Sequence, residues 1–128
     1  MRPLETVRVL VVEGDRASNR LVSIVLELGG AMVVSAKSGD EAENHLCMTR
    51  FDVVVLDLVL PCASGLDLAS AITSSSATSH VVCIALTTTA DRDLEHAARR
   101  AGCAAIVRKP IDTETFAETV AAHLRGKR

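Results

Sequence analysis

Five short runs of β-branched and aliphatic residues recur along this chain, and each is followed by a segment with helical character. No two-residue hairpin signal joins any pair of these runs. Strands that read as continuous apolar runs are typical of a parallel sheet covered on both faces. The chain is therefore predicted to be an α/β protein with a doubly wound, five-stranded parallel sheet. The predicted strands are residues 7–12, 32–35, 51–56, 81–86 and 104–107.

The segments between these runs carry the spacing of amphipathic helices. In the first of them, apolar residues recur at i, i+3, i+4 and i+7, which predicts that this face packs on the sheet. Ser38 or Asp40 is predicted to cap the second helix and Asp112 the last, because short polar side chains accept from the free N–H groups of a helix start. Segment 58–65 is predicted to be a loop. The predicted inward face of the first helix is Leu21, Ile24, Val25 and Leu28.

The composition limits the function that the chain can serve. Its 128 residues fit a single domain, residues 1–128, with a core predicted at about residues 6–125. Hydrophobic residues make up 48% of the chain and charged residues 23%, which is typical of a globular protein. A net charge of −2 and 2% aromatic residues argue against direct nucleic-acid binding. No apolar run is long enough to cross a membrane and Met1–Val7 lacks a signal-peptide core, so a cytoplasmic location is expected.

Polar side chains follow four of the five predicted strands. The carboxyl ends of parallel strands lie at one edge of a sheet, where doubly wound folds bind their ligands. Carboxylate oxygens at such an edge suit a hard cation such as Mg²⁺, and no organic cofactor is expected. The residues in question are Glu13 and Asp15 after the first strand, Asp57 after the third, Thr87–Thr89 after the fourth and Lys109 after the fifth.

This set of groups suits phosphoryl transfer, which depends mostly on positioning and on stabilisation of charge. Asp57 is the predicted nucleophile and would form an acyl phosphate. Lys109 and a metal ion would offset the charge of the phosphoryl group, and Thr87 would donate a hydrogen bond to it. Each residue alone has a simpler structural interpretation, as a strand-end turn or a solvated side chain, so the prediction depends on the whole set.

Four segments in this order resemble the response-regulator receiver domains of two-component signalling. Any one of them is a weak signal, but all four at these separations are specific, and the resemblance covers nearly the whole chain. The segments are Val9-Leu10-Val11-Val12-Glu13, the run from Phe51 to Pro61 together with Gly65-Leu66-Asp67-Leu68, Leu86-Thr87, and Val107-Arg108-Lys109-Pro110.

The resemblance implies a CheY-like, flavodoxin-like sheet of order 2-1-3-4-5. It implies that Asp57 takes a phosphoryl group from a histidine kinase or a histidine phosphotransfer protein, and that Mg²⁺ is held by Glu13, Asp57 and the backbone carbonyl of Val59. Lys109 would pair with the phosphoryl oxygens, and the peptide bond from Lys109 to Pro110 would be cis. Thr87 would shift towards the phosphoryl group and so report its presence. Such bacterial domains act on a downstream target or output domain. They phosphorylate and dephosphorylate themselves only weakly and are not turnover enzymes, and the possibility of a homodimer stays open.

The chain departs from the family pattern at the metal site. The family has a second acid directly after the first, where this chain has Gly14, and Asp15 is a further candidate ligand that would compensate. Loss of a ligand is expected to weaken Mg²⁺ binding by at least the roughly 10–100-fold that loss of an outer-shell partner causes.

Further departures concern the switch and the opening of the site. Ile106 stands where the family commonly has a switch aromatic, so the coupling of Thr87 to a turning ring cannot run in the same form. Thr88 is bulkier than the usual Ala or Ser and narrows access to the site. Val59 offers an attacking water no hydrogen bond, so a long-lived phosphoryl-Asp57 is predicted.

Two alternative functions are kept open. One is a pseudo-receiver of the same fold, which binds or dimerises independently of phosphorylation because position 14 carries no acid. The other is a small phosphohydrolase or nucleotide-binding enzyme, which is disfavoured because the chain has no G-x-x-x-x-G-K-[ST] loop and Val59 stands where an aspartate-dependent phosphatase needs a second Asp. A phosphoryl adduct on Asp57, no adduct, or turnover of a phosphoester would separate the three.

Overall fold

In the computed structural model, the strands form the sheet that the sequence predicts. The structure describes residues 2–61, 63–89 and 91–127. Within those residues, five strands form one parallel sheet of order β2-β1-β3-β6-β7, and the remaining two pair antiparallel with each other. Apart from that small pair, the order is the one that the resemblance implies. The strands are β1 (Arg8–Val12), β2 (Met32–Ala36), β3 (Val53–Asp57), β4 (Val59–Leu60), β5 (Ala63–Ser64), β6 (Val82–Thr87) and β7 (Cys103–Arg108).

Helices follow four of the five sheet strands directly, and the fifth helix follows the short antiparallel pair. Asp15 caps the first helix by accepting from the N–H of Ser18, and Ser38 caps the second by accepting from the N–H of Glu41. Asp112 precedes the last helix, where its carboxylate accepts from the N–H of Glu114 and its carbonyl accepts from the N–H of Phe116, the first residue of that helix. The helices are α1 (Arg16–Leu28), α2 (Gly39–Met48), α3 (Gly65–Ser74), α4 (Arg92–Arg100) and α5 (Phe116–Lys127).

The core lies in two layers, one on each face of the sheet. Successive side chains of a strand point to opposite faces, so Val9 and Val11 pack on one side and Leu10 and Val12 on the other. The first layer is shared with α1 and α5, and the second with α2, α3 and α4. Burial on both faces explains why the strands read as unbroken apolar runs.

The inward face of α1 differs from the one predicted. Leu28 is 74% exposed and Leu21 and Ile24 are each 41% exposed, whereas Val25 is buried as predicted. The spacing of apolar residues misleads here because two polar side chains occupy the inward face and satisfy their hydrogen bonds there. The buried residues of α1 are Asn19, Val22, Ser23, Val25 and Leu26.

Candidate functional site

The carboxyl ends of four sheet strands bring the predicted residues to one edge of the sheet. Asp57 and Thr87 are the last residues of β3 and β6, and Glu13 and Lys109 directly follow β1 and β7. The backbone fixes this arrangement, since the N–H of Lys109 donates to the carbonyl of Thr87 at 2.7 Å. Glu13, Asp57 and Thr87 are buried, at 2%, 5% and 5% exposed.

The ammonium of Lys109 joins the two buried carboxylates. Its Nζ donates to Glu13 Oε2 at 2.8 Å and also to Asp57 Oδ2. Burial by itself lowers the pKa of Lys109, but the hydrogen bonds and charges of Asp57 and Glu13 outweigh that effect, so its pKa is raised above the ordinary value. Residues 13, 57 and 109 therefore meet in space as the sequence predicts. The bond from Lys109 to Pro110 is cis, as the resemblance implies.

The other oxygen of Asp57 is held by the backbone beyond the strand. Val59 N donates to Asp57 Oδ1 at 2.7 Å. The loop returns close to this strand end, where Gly65 N donates to the carbonyl of Leu58 at 3.1 Å. Only glycine fits at position 65, because a Cβ there would lie 2.6 Å from the Cα of Leu58. Asp57 thus stands at a strand end that the start of α3 packs against.

The carboxylate of Glu13 has a donor on each oxygen. The N–H of Asp15 donates to Oε1 at 3.1 Å, and the hydroxyl of Ser18 donates to Oε2 at 3.0 Å beside Lys109. Asn19 Nδ2 donates to the carbonyl of Glu13 at 3.0 Å and to that of Ala36 at 3.2 Å. Sequence reasoning missed both Ser18 and Asn19. Their place in the first turn of a helix that begins right after Glu13 is the signal that would have found them.

Asp15 takes part in the helix start instead of joining the two buried acids. Its Oδ2 accepts from the N–H of Ser18 at 2.8 Å and its side chain is exposed. Among the described residues, no group of three or more His, Cys, Asp or Glu side chains is placed to hold a metal ion. The predicted compensation by Asp15 thus has no geometric support.

The backbone of Gly14 lies close to the ring of Pro61, which directly follows β4. A Cβ at position 14 would come within 2.6 Å of Pro61 Cδ and 2.7 Å of Pro61 Cγ. Both ring atoms are tied to the backbone of the loop, so they cannot rotate away as the end of a flexible side chain would. An acid at position 14 would therefore require the loop itself to move.

The hydroxyl of Thr87 is engaged by Thr89. The two Oγ1 atoms lie 3.2 Å apart, and the N–H of Thr89 donates to Thr87 Oγ1 at 3.2 Å. Thr87 lies at the predicted edge, beside Lys109 in the backbone ladder. Its hydroxyl must give up the hydrogen bond with the hydroxyl of Thr89 before it can donate one to a group bound at Asp57.

The site opens beside exposed side chains of two loops. Val59 is 80% exposed, and Thr88 and Thr89 are exposed. A groove of about 380 Å³ runs next to Lys109. Its lining includes Leu21, Thr88, Pro110 and Ile111.

The residues present fit a magnesium ion. Mg²⁺ in proteins is usually held by one or two carboxylates together with waters and substrate phosphates. Glu13 and Asp57 supply two buried carboxylates that contact one ammonium, so their oxygens lie close together.

Comparison with known proteins identifies the family of this chain. The family model of the response regulator receiver domain matches residues 9–121. This chain is a response regulator receiver domain. Its match to the family runs from β1 to the first half of α5, so the predicted doubly wound fold and the resemblance are both confirmed.

Several relatives of the receiver domain are known. The polar-differentiation response regulator DivK of Brucella anthropi is 29% identical over 91% of this chain and 94% of its own length. The chemotaxis response regulator CheY4 of Vibrio cholerae has a TM-score of 0.85 and 26% identity, over 91% of this chain and 98% of that one. The BeF₃-activated DrrB receiver domain has a TM-score of 0.82 and 28% identity, over 92% and 97%.

The family places this receiver domain in two-component signalling as a phosphoacceptor domain. Receiver domains act as signalling switches and not as turnover enzymes. They generally bind Mg²⁺ at an acidic pocket and interact with histidine kinases and downstream targets. Among the described helices of this chain, none combines the length and the apolar character needed to cross a membrane.

Proposed function

We propose that Asp57 is the phosphoacceptor of this receiver domain and that Lys109 and Thr87 assist it. The observation that carries this proposal is the ammonium of Lys109, which contacts both Asp57 and Glu13 at the edge of the sheet. A carboxylate oxygen of Asp57 attacks the phosphorus of a phosphohistidine, the P–N bond breaks, and the imidazole leaves and takes up a proton. Lys109 then faces the new negative charge of the acyl phosphate, and the hydroxyl of Thr87 turns from Thr89 towards it.

We further propose that Mg²⁺ is held by Glu13, Asp57 and the backbone carbonyl of Val59. When bound, the ion supplies positive charge that stabilises the phosphoryl oxygens. Gly14 leaves this site with one carboxylate fewer than the family pattern, and the packing of Pro61 keeps that position empty of a side chain. The affinity for Mg²⁺ is therefore lower than in a receiver with two acids after β1.

The donor is a histidine kinase or a histidine phosphotransfer protein that docks beside the site. Its phosphohistidine must reach Asp57, so its contact surface has to border the opening. The groove next to Lys109 has this position, and its apolar lining by Leu21, Pro110 and Ile111 suits a helical partner. The domain spans residues 1–128 with its core at about 6–125, works in the bacterial cytoplasm, and passes the signal to a downstream protein or output domain.

Intact mass after incubation with Mg²⁺ and a small acyl phosphate tests the assignment of Asp57. We expect one phosphoryl adduct on the parent protein and none on Asp57→Asn. Asp67→Asn is the matched control, because Asp67 is an exposed acid in the first turn of α3. Persistence of the adduct in Asp57→Asn, or its loss in Asp67→Asn, would contradict the assignment.

The contact between Gly14 and Pro61 also favours a second function, that of a pseudo-receiver. If the missing acid abolishes metal binding, the domain acts as a phosphorylation-independent binding or dimerisation module. A parent protein that forms no adduct even at saturating Mg²⁺ would support this alternative. Turnover of a phosphoester by the parent would instead support the disfavoured phosphohydrolase.

A further inference from the structure

Among the residues around the two buried acids, Ser18 makes a contact to which neither the sequence motifs nor the family assignment gives a role. Its hydroxyl donates to Glu13 Oε2 at 3.0 Å, on the oxygen that Lys109 also contacts. We propose that Ser18 is the positioning residue of the Mg²⁺ site, which fixes the rotamer of Glu13 so that its carboxylate faces Asp57. This inference rests on the proposed function, since it assigns Glu13 to the metal.

Glu13 needs such a partner more than a shorter acid would. A glutamate has one more rotatable bond than an aspartate, and freezing a long side chain costs up to about 2 kcal/mol of rotamer entropy. Because Gly14 has no side chain and Asp15 caps α1, Glu13 is the acid that the end of β1 directs to Asp57. The position of one carboxylate therefore decides the geometry that the ion meets.

The hydroxyl of Ser18 is itself held by a fixed element. The N–H of Ser18 donates to Asp15 Oδ2 in the first turn of α1. The next residue, Asn19, ties the same turn to the backbone carbonyls of Glu13 and Ala36. A donor on this turn cannot drift relative to the end of β1, so its hydrogen bond sets the direction of the carboxylate.

Ser18 and Lys109 act on the same oxygen but respond differently to the reaction. Lys109 is a cation, so an incoming metal ion repels it and a phosphoryl group on Asp57 attracts it. Ser18 is neutral and makes no such exchange. When Lys109 turns to the phosphoryl group, Ser18 remains as the side-chain donor that holds Glu13 Oε2.

A Mg²⁺ titration of the unphosphorylated protein, followed by amide chemical shifts at Glu13 and Asp57, tests this role. Loss of a partner that orients a metal ligand typically weakens affinity by roughly 10–100-fold. We expect Ser18→Ala to raise the Kd for Mg²⁺ on the order of tenfold, and Ser18→Thr to restore it, because threonine keeps the hydroxyl. Ser74→Ala is the matched control, since it removes an exposed helical hydroxyl at the end of α3.

The outcomes separate this role from the proposed function. If Ser18→Ala binds Mg²⁺ with a Kd within twofold of the parent value, or if the parent shows no Mg²⁺-dependent shifts at Glu13, the positioning role is overturned. The adduct measurement on Asp57 is made separately at saturating Mg²⁺. If Ser18→Ala forms a normal adduct but has a raised Kd for Mg²⁺, the positioning role is supported. If the parent protein forms no adduct, the phosphoacceptor assignment is overturned, and the Mg²⁺ titration alone then tests the role of Ser18.

Discussion

The residues around Glu13 and those around Thr87 lie at the same edge of the sheet but are held by different means. We call the first group the acid side, which comprises Glu13, Ser18 and Asn19. The second group, the switch side, comprises residues 87–89 with α4. On the acid side, side chains of α1 bond to Glu13, directly after β1, and to the end of β2.

The switch side has weaker attachments. Thr87 and Thr89 bond to each other within one loop, and Thr89 is exposed. The helix α4 buries Ala98 fully among its residues, and Leu94 is only partly buried against the core. Few buried apolar contacts mark the parts of a protein that open at low free-energy cost. The difference indicates a firmly held acid side and a more readily displaced switch side.

Removal of the Asn19 amide should have the largest effect on stability. Asn19→Ala leaves the buried carbonyl of Glu13 without its donor, which costs about 1–3 kcal/mol. It also removes one of the two donors to the carbonyl of Ala36, a hydrogen bond worth about 0.5–1.5 kcal/mol, while the N–H of Glu13 remains the other donor. We expect urea denaturation to give a free energy of unfolding lower by about 2–4 kcal/mol. Thr89→Ala, the counterpart on the switch side, should cost less than about 1 kcal/mol. Equal losses in the two variants would erase the distinction between the sides.

Alkaline pH should weaken the fold through a buried thiol of β7, the strand that follows the switch side. Burial raises the pKa of the Cys103 thiol to about 11, above its ordinary value of 9.0. Above pH 9 the unfolded chain loses this proton and the folded chain keeps it, so the unfolded state is favoured as the pH rises. From this thiol we expect the free energy of unfolding to fall, with a slope approaching roughly 1.4 kcal/mol per pH unit between pH 9 and 10.5.

Thermal or urea unfolding at several pH values measures this slope. Cys103→Ala should flatten the slope relative to the parent. Cys47→Ala is the control for removal of a thiol, because Cys47 is exposed. A parent stability that does not change between pH 9 and 10.5 would refute the prediction.

Substitution of Gly14 tests whether the acid side has room for a side chain at this position. Gly14→Asp should lower the free energy of unfolding by about 1–3 kcal/mol, because its Cβ overlaps the ring of Pro61. Gly14→Ala carries the same Cβ without charge and should cost a similar amount. In the background of Pro61→Ala, Gly14→Asp should cost less and should tighten Mg²⁺ binding. If Gly14→Asp alone is as stable as the parent, the loop that carries Pro61 moves aside at no cost, and the overlap with the ring of Pro61 does not affect stability.

A smaller effect is expected when Thr87 is released from Thr89. Thr89→Val removes the partner hydroxyl at nearly constant shape, and a hydrogen bond of this kind is worth about 0.5–1.5 kcal/mol. Thr87 should then turn to a phosphoryl group more readily, and binding of beryllofluoride should tighten on the order of threefold. Thr89→Ser should behave as the parent does. Unchanged binding in Thr89→Val would mean that the pair does not restrain the switch.

The smallest expected effect concerns the opening between the two sides. Val59 is 80% exposed beside Asp57 and has no side-chain group that can orient water. Val59→Asn supplies such a group, so the phosphoryl group should be lost a few-fold faster. Decay of the adduct after removal of the donor measures the rate, and equal rates would count against a role of this position in adduct lifetime.

The fold and the main site residues were predictable because they depend on local patterns. Apolar runs marked the strands, and the residues after each run had to meet at one edge once the sheet was parallel. The convergence of Asp57, Glu13 and Lys109 therefore follows from the sequence, and their chemical roles stay predictions. The small antiparallel pair within 58–65 did not, since two-residue strands leave no periodic signal.

The remaining details depend on packing between distant segments. The inward face of α1 was assigned wrongly because Asn19 and Ser23 occupy core-facing positions that a pattern of apolar residues cannot recognise. The overlap of position 14 with Pro61 joins two loops that are far apart in sequence. The contact of Ser18 with Glu13 required knowledge of where the first turn of α1 points.

In the protein without a bound metal ion, the ammonium of Lys109 supplies the positive charge between Glu13 and Asp57 that a divalent cation would otherwise supply. Two acids and one ammonium leave a single negative charge, so the pocket is stable enough to persist when the surrounding solution is depleted of Mg²⁺. Scarcity of the ion would then silence signalling without unfolding the domain. A cooperative melting transition in chelator, lowered only by the small stabilisation that bound Mg²⁺ adds, is the expected sign. A steep loss of stability in chelator would mean that the lysine cannot replace the ion.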